Sequence, residues 1–248
     1  MAHVPIHRRW HAALAALLCL PLIAPTLALA ASLQVAPTML ELRPGQEAEA
    51  LWISNSGTEP VQVQVRLFRW TQSGGADELQ PTQALLASPP MQELAAGQRQ
   101  LIRVMRAGDA TPDAQQSYRL IVDEVPAFDP DRTGMQFVLR YSIPVFLQPE
   151  GPAPQPRLLA QVIGDGDGMA WIQVSNHGDG YAQLADLAHG ASDRPLVVRA
   201  GLVGYVLPGQ TMQWSLEHPP TRFLESGFSA RINGESEQTP LPAAPAPR

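Results

Sequence analysis

From Leu33 onward the chain alternates apolar and polar positions with a period of two. Val61, Val63, Val65 and Leu67 alternate with Gln62, Gln64, Arg66 and Phe68. Further along, Leu101, Arg103 and Met105 alternate with Ile102, Val104 and Arg106, and the run Tyr118-Arg119-Leu120-Ile121-Val122 follows. No long stretch carries the three- and four-residue spacing of an amphipathic helix, so the pattern predicts strands throughout. Turn residues cut these strands short at Arg43-Pro44-Gly45, Asn55-Ser56-Gly57, Gly74-Gly75, Ser88-Pro89-Pro90 and Ala96-Gly97. Short strands punctuated in this way over about 115 residues predict an antiparallel sandwich of the immunoglobulin type. The usual intersheet disulfide is missing, because the one cysteine, Cys19, lies far upstream.

A boundary follows. Between Gln148 and Pro156 four prolines fall within nine residues, which no sheet interior accommodates; 149–156 therefore reads as a stiff connector. Beyond it the alternation resumes through Leu158–Ile163, Ala170–Ser175, Leu196–Val198, Gly204–Leu207, Met212–Leu216 and Phe228–Ile232. The organisation expected is an N-terminal sandwich over 31–148 and a second, shorter all-β domain over 157–239. The Pro/Ala-rich end, 240–248, is expected to be disordered.

Residues 1–30 have a different character. The basic pair Arg8-Arg9, the apolar run Ala12–Ala30 and the exit Ala28-Leu29-Ala30 have the form of a cleaved secretory signal peptide. Pro21 and Pro25 interrupt the run, which argues against a membrane-spanning anchor. Cleavage after Ala30 leaves 218 of 248 residues, with 15 arginines (17 less Arg8 and Arg9) against 23 acids, a formal charge of -8. The mature product is thus exported, acidic and free of cysteine, with no stable membrane insertion. The route is open between the general secretory and twin-arginine systems, since a bare arginine pair is weak evidence.

Charge and residue usage also exclude chemistry. All 17 basic side chains are arginine, and without lysine neither a P-loop nucleotidase nor a Schiff-base enzyme is possible. With no basic cluster after the N-terminus, nothing supplies the counterion release that drives binding to nucleic acid. There is no G-x-S-x-G, no H-E-x-x-H and no glycine-rich nucleotide loop. His177, His189 and His218 read as isolated, solvated turn histidines. Asp165, Asp167 and Asp179 lie in glycine-rich turns that lack the distal Glu of a calcium loop. No catalytic residue, metal or cofactor is therefore expected, and the chain is not read as an enzyme.

The informative strand is the last of the first domain. Met135, Phe137, Leu139, Tyr141 and Ile143 fall on one face, with Gln136, Val138, Arg140, Ser142 and Pro144 on the other. The face could simply be core. A run from 135 to about 147 is nevertheless roughly twice a typical strand, long enough to offer an edge to another chain.

These features together resemble the two-domain periplasmic pilus chaperones of the PapD-like family. The resemblance rests on Leu33-Gln34-Val35-Ala36-Pro37, Leu42-Arg43-Pro44-Gly45, Ser54-Asn55-Ser56, Ile102-Arg103-Val104, Tyr118-Arg119-Leu120, Glu124-Val125-Pro126 and Arg140-Tyr141-Ser142-Ile143-Pro144-Val145-Phe146. It implies an all-β fold of two immunoglobulin-like β-sandwich domains in a boomerang arrangement. The implied function is a chaperone that holds a pilus subunit by lending it a strand and supports fibre assembly through an outer-membrane usher. Strand addition of this kind draws affinity from backbone hydrogen bonds and specificity from alternate side chains. Carried onto this chain, the donor residues are Met135, Phe137, Leu139 and Tyr141.

One departure is visible. Better-known members hold the subunit's terminal carboxylate with a basic residue on the first strand and a lysine late in the last; here Ala36-Pro37-Thr38 and Ile143-Pro144-Val145 stand in those regions. If the strand ending near Val125 turns back at about Gly134, Arg119 falls across from Arg140; the pair reads either as two surface arginines or partners of Glu124 or Asp123, or as a substitute carboxylate anchor, Arg119 with Arg140. Arg103 and Arg106 are weaker candidates. A displaced anchor resembles the archaic, Csu-type branch, which serves spore-coat-U-like subunits. Self-association through the unpaired edge is expected in the free protein. Two alternatives stay open: a structural or adhesive two-domain surface module, and a carbohydrate- or metal-binding sandwich suggested by acidic turns and by Trp70 and Trp171.

Overall fold

The computed structural model describes residues 33–108, 111–126, 137–164, 168–190, 195–223 and 227–245. The first thirty-two residues, Met135, Asp165, Asp167 and the last three residues therefore lie outside the described part. No α-helix occurs among the described residues; a single 3-10 turn, Pro220–Phe223, is the sole helical element there.

Ten strands build the first sandwich. One sheet runs in the order β1 (Leu33–Ala36), β3 (Ala48–Asn55), β8 (Arg99–Arg106), β6 (Leu85–Ser88). The facing sheet runs β2 (Leu40–Leu42), β10 (Arg140–Leu147), β9 (Gln116–Val125), β4 (Val61–Ser73), β5 (Ala76–Pro81), with β7 (Met91–Leu94) also paired to β4. The alternation predicted for β4, β8 and β9 fills the space between the sheets. Leu51, Ile53, Ile102 and Val104 meet Val63, Val65, Leu120, Val122, Ile143 and Val145 in one buried cluster.

The second sandwich packs β11 (Leu158–Gly164), β12 (Ala170–Asn176) and β15 (Thr211–Ser215) against β14 (Leu196–Val206), β13 (Ala182–His189), β16 (Phe228–Ile232) and β17 (Thr239–Leu241). Two expectations are corrected here. The C-terminal stretch does not leave the fold at 240: Pro240 sits in β17, Leu241 joins the core, and the Ala160 amide donates to the Pro242 carbonyl. Pro240 is tolerated because β17 is an edge strand. His189 is not a solvated turn residue either. It is buried at the end of β13, edge-on to Phe223 at 5.0 Å and tilted on Phe228 at 4.8 Å.

The two sandwiches repeat one corner. In the first, buried Asn55 donates through Nδ2 to the carbonyls of Glu59 (2.7 Å), Leu94 (3.0 Å) and Ala95 (3.2 Å), while its Oδ1 accepts from the Gly57 amide. In the second, Asn176 donates to Gly180 (2.7 Å) and Val206 (3.1 Å), and its Oδ1 accepts from Gly178 and Arg157. Backbone bonds match as well: Gly97 donates to the Asn55 carbonyl and Gly209 to the Asn176 carbonyl. Both glycines sit at φ 72°, in the left-handed region that favours glycine. The signal in the sequence is the recurrence Ser-Asn-x-Gly at 54–57 and 175–178. Replacing Asn55 with alanine leaves the buried Leu94 carbonyl, and the part-buried carbonyls of Glu59 and Ala95, without this donor and is expected to cost about 3 kcal/mol, measured by urea unfolding. A change below about 0.5 kcal/mol would show that these bonds are dispensable.

The connector is gripped rather than free. Asp179 and Gly180 donate their amides to the Gln155 carbonyl, and Gln155 donates its own to Asp179 Oδ1 at 2.7 Å. A Cβ at Gly178 would stand 2.1 Å from the Gln155 carbonyl oxygen, so the chain passes where only glycine leaves room.

Between the sandwiches lies an aromatic seam. Phe146 of β10 stacks on Tyr181 with centroids 3.8 Å apart and planes 2° from parallel, and Trp70 meets Tyr205 edge-on at 5.3 Å. Met39 and Leu207 complete it. Gln72 staples the seam: its Nε2 donates to the Tyr205 carbonyl at 2.9 Å and its Oε1 accepts from the Leu207 amide at 2.9 Å. The Tyr181 hydroxyl donates to Glu41 Oε1 at 3.0 Å, and burial followed by the nearby Glu41 charge pushes that phenol well above its ordinary pKa.

Candidate functional site

β10 is half occupied and half open. Along one side it pairs with β9 from Arg140↔Asp123 to Leu147↔Gln116. On the other side only Val145–Leu147 pair, in parallel with β2. The Glu124 amide donates to the Leu139 carbonyl at 2.9 Å. Alternation then turns the N–H groups of Arg140 and Ser142 away from β9, toward the open edge. Pro144 falls in the same outward set, where its missing N–H costs no bond to β9.

Among the described residues the strand begins at Arg140, later than the start at 135 expected from the alternation, and side-chain burial changes along it and the three residues before it. Ile143, Val145 and Leu147 point into the first core, Leu139 and Tyr141 pack against its rim half-buried, and Phe137 stands out at 81% exposure with Val138 at 51%. Tyr141 is tied by its hydroxyl to the Leu33 carbonyl at 2.5 Å. Of the predicted donors, Phe137 is thus presented outward, Leu139 and Tyr141 lie where the core opens, and Met135 lies outside the described residues.

The two anchor candidates are not brought together. Arg140 faces Asp123 across the ladder and Arg119 faces Pro144, so the expected cross-strand pair is displaced by four positions, about 13 Å along the strand. The reason is register, which the length of the intervening connection sets and the alternation does not reveal.

Each arginine has its own setting. Arg140, 68% exposed along its side chain, donates through Nε to Asp123 Oδ1, and Arg66 donates through Nη2 to Oδ2 at 2.5 Å. Burial raises the Asp123 carboxyl, but the hydrogen bonds and charges of Arg140 and Arg66 outweigh it and hold the group below its ordinary value. A depressed folded pKa contributes stability that is fully present above the unfolded value of about 3.9 and lost as pH falls through the folded midpoint. Carboxyl-carbon NMR of Asp123 is therefore expected to give a midpoint below about 3.9; one at or above it would mean that burial wins over the two arginines.

Arg119 is the more unusual cation. Its side chain is 11% exposed, and its guanidinium lies over the Trp70 ring at 3.6 Å with the Tyr205 ring at 5.0 Å. Burial lowers its pKa, partly offset by Asp77 and Tyr205. Among the described residues its nearest carboxylate is Asp77, whose Oδ2 stands 3.9 Å from Nη2, beyond hydrogen-bond length. One face of this guanidinium lies on the Trp70 ring with Tyr205 to the side, and among the described residues no hydrogen bond fills its edge donors, which leaves them open to a planar anion.

Sequence reasoning missed Trp70, Gln72, Asp77 and Tyr205. In β4 the buried positions are odd at Val61, Val63 and Val65 but even at Trp70 and Gln72, with the ladder to β5 and β9 unbroken. The outer face becomes interior where the second sandwich covers it. The available signal was the strand's length and an indole on its polar face. Trp70, a sugar-stacking candidate on its sequence alone, is 1% exposed and offers no platform.

Residues 32–153 match the family "Pili and flagellar-assembly chaperone, PapD N-terminal domain". No curated protein sequence matches the chain. Among solved structures, the CsuC-CsuE chaperone-tip adhesion subunit pre-assembly complex from archaic chaperone-usher Csu pili of Acinetobacter baumannii gives a TM-score of 0.68 at 25% identity, over 85% of this chain and 97% of that one. The Salmonella enterica SafA pilin in complex with the SafB chaperone gives 0.60 at 19%, over 86% and 96%. The E. coli chaperone DraB gives 0.58 at 18%, over 85% and 98%. The last two carry the fold alone, two immunoglobulin-like sandwiches. An N-terminal domain with the family's pattern, the shared two-sandwich fold and a half-open final strand lead to one conclusion: residues 32–153 form the N-terminal domain of a PapD-like pilus-assembly chaperone, on a chain that shares the two-sandwich fold of such chaperones.

Proposed function

We propose that this chaperone, of the archaic Csu-type branch, works in the periplasm after removal of residues 1–30, and that it captures spore-coat-U-like pilus subunits on the open edge of β10. The observation that carries this is the half-open strand: outward amides at Arg140 and Ser142, and Phe137 and Val138 exposed beside them. A subunit lacking a strand gains a backbone ladder from these groups and fills its groove with Phe137, Leu139 and Tyr141, continued by Met135. The subunit is later surrendered to the next subunit's extension at an outer-membrane usher, with no nucleotide and no catalytic residue.

Arg119 and Arg140 are the proposed carboxylate anchors, as two positions along one strand. Arg119 is the principal one, since its donors are unfilled; Arg140, shared with Asp123, adds attraction at the outer end. The test is to purify the tagged chain from the periplasm of its own host and identify partners by intact mass spectrometry. A stoichiometric small subunit is expected. Arg119→Ala should reduce capture by more than about tenfold, as for truncating one member of a buried charge pair, and Arg140→Ala by about threefold. Equal capture by both variants and the parent would place the anchor elsewhere, and a partner-free chain from cells assembling fibres would favour the surface-module reading.

A further inference from the structure

The Arg119 clamp holds one feature that the capture reading does not use. Asp77 lies on β5, an edge strand whose residues are all exposed. Its Oδ1 accepts from Gln72 Nε2 at 2.8 Å, while its Oδ2 only approaches Arg119 at 3.9 Å. Gln72 is itself fixed by two backbone groups of the second sandwich, the Tyr205 carbonyl and the Leu207 amide. The carboxylate is therefore held near the guanidinium by a residue anchored on something else, and is held too far to bond it.

We infer that Asp77 is a stand-in for the incoming carboxylate: a displaceable counter-ion that balances Arg119 in the free chaperone and yields when a chain terminus docks. This rests on Arg119 being the anchor. A buried guanidinium without a nearby anion is costly, so a free chaperone needs an internal one. A tightly bonded, bidentate internal partner would close the site, however. Asp77 meets both demands. At 3.9 Å it supplies charge without filling the donors, and with its side chain 46% exposed it swings into water at small cost. Its departure leaves Gln72 still bonded to both backbone groups, so the seam between the sandwiches is kept. A terminal carboxylate arriving at ordinary bonding distance satisfies two donors at once and wins the exchange.

The substitution that isolates this is Asp77→Asn, which keeps an oxygen for Gln72 and removes only the charge. N-acetylglycine, a minimal chain terminus, and its uncharged amide are titrated into the intact chain, following the Arg119 Nε–H signal by nitrogen-15 NMR, assigned by its loss in Arg119→Gln. N-acetylglycine is expected to bind Asp77→Asn about threefold more tightly than the parent, the scale of one part-exposed ion pair, and the amide to leave the signal unmoved. Equal affinities in parent and variant would overturn the stand-in while leaving the anchor intact. An Arg119 signal that N-acetylglycine moves in neither protein, or that the amide moves equally, would overturn the anchor reading itself.

Discussion

Replacing Phe137 with aspartate is expected to abolish subunit capture and to leave stability within about 0.5 kcal/mol of the parent. At 81% exposure the ring makes little of the fold's core, so nothing packed is lost when it goes. In a complex the same ring enters an apolar groove, where a carboxylate would be buried without a partner at a cost of several kcal/mol. The two readouts, a thermal melt of the free chain and co-purification of a subunit, separate donor from core. A variant that melts early would show that Phe137 supports its own fold; one that captures normally would show that the donated segment lies elsewhere.

Phe146→Ala is expected to have the opposite profile, destabilising the chain by about 3–4 kcal/mol. Phe146 is fully buried, stacked on Tyr181 and within 6.1 Å of the Trp70 centroid. It lies on the even face of β10, which is exposed at Arg140 and Ser142, buried at Pro144 and packed on the second sandwich at Phe146. Trp70 also carries the Arg119 guanidinium, so the loss should loosen the clamp together with the seam. Urea unfolding measures the first effect. A loss below about 1 kcal/mol would mean that the seam contributes little and that the sandwiches are held by the connector and Gln72.

These two phenylalanines, nine positions apart, show what the pattern of residues could and could not reveal. The odd face of β10 was legible because a period of two needs no knowledge of neighbours, and Ile143, Val145 and Leu147 are buried as it requires. Phe146 was not, since its burial depends on a second sandwich whose contact surface leaves no periodic trace. The same holds for Trp70 and Gln72, where β4 switches its buried face without a bulge. Arg119 and Arg140 were both identified as cations near the strand, but their separation follows from a register that alternation does not encode. Gln72, an unremarkable polar residue in a strand, became a staple only because Tyr205 and Leu207 present backbone groups to it. The C-terminal β17 was hidden by composition: prolines within and just after a three-residue edge strand look like a tail until the sheet they join is known.

Residue-resolved amide hydrogen exchange decides whether the open edge of β10 is the donated edge. In the free chain the amides of Val138, Arg140 and Ser142 are expected to exchange quickly, while those of Tyr141 and Ile143, bonded to β9, exchange slowly. In the purified chaperone–subunit complex the first three should become protected as a set, with Tyr141 and Ile143 unchanged. Amides at 138, 140 and 142 that exchange as fast in the complex as in the free chain would contradict strand donation.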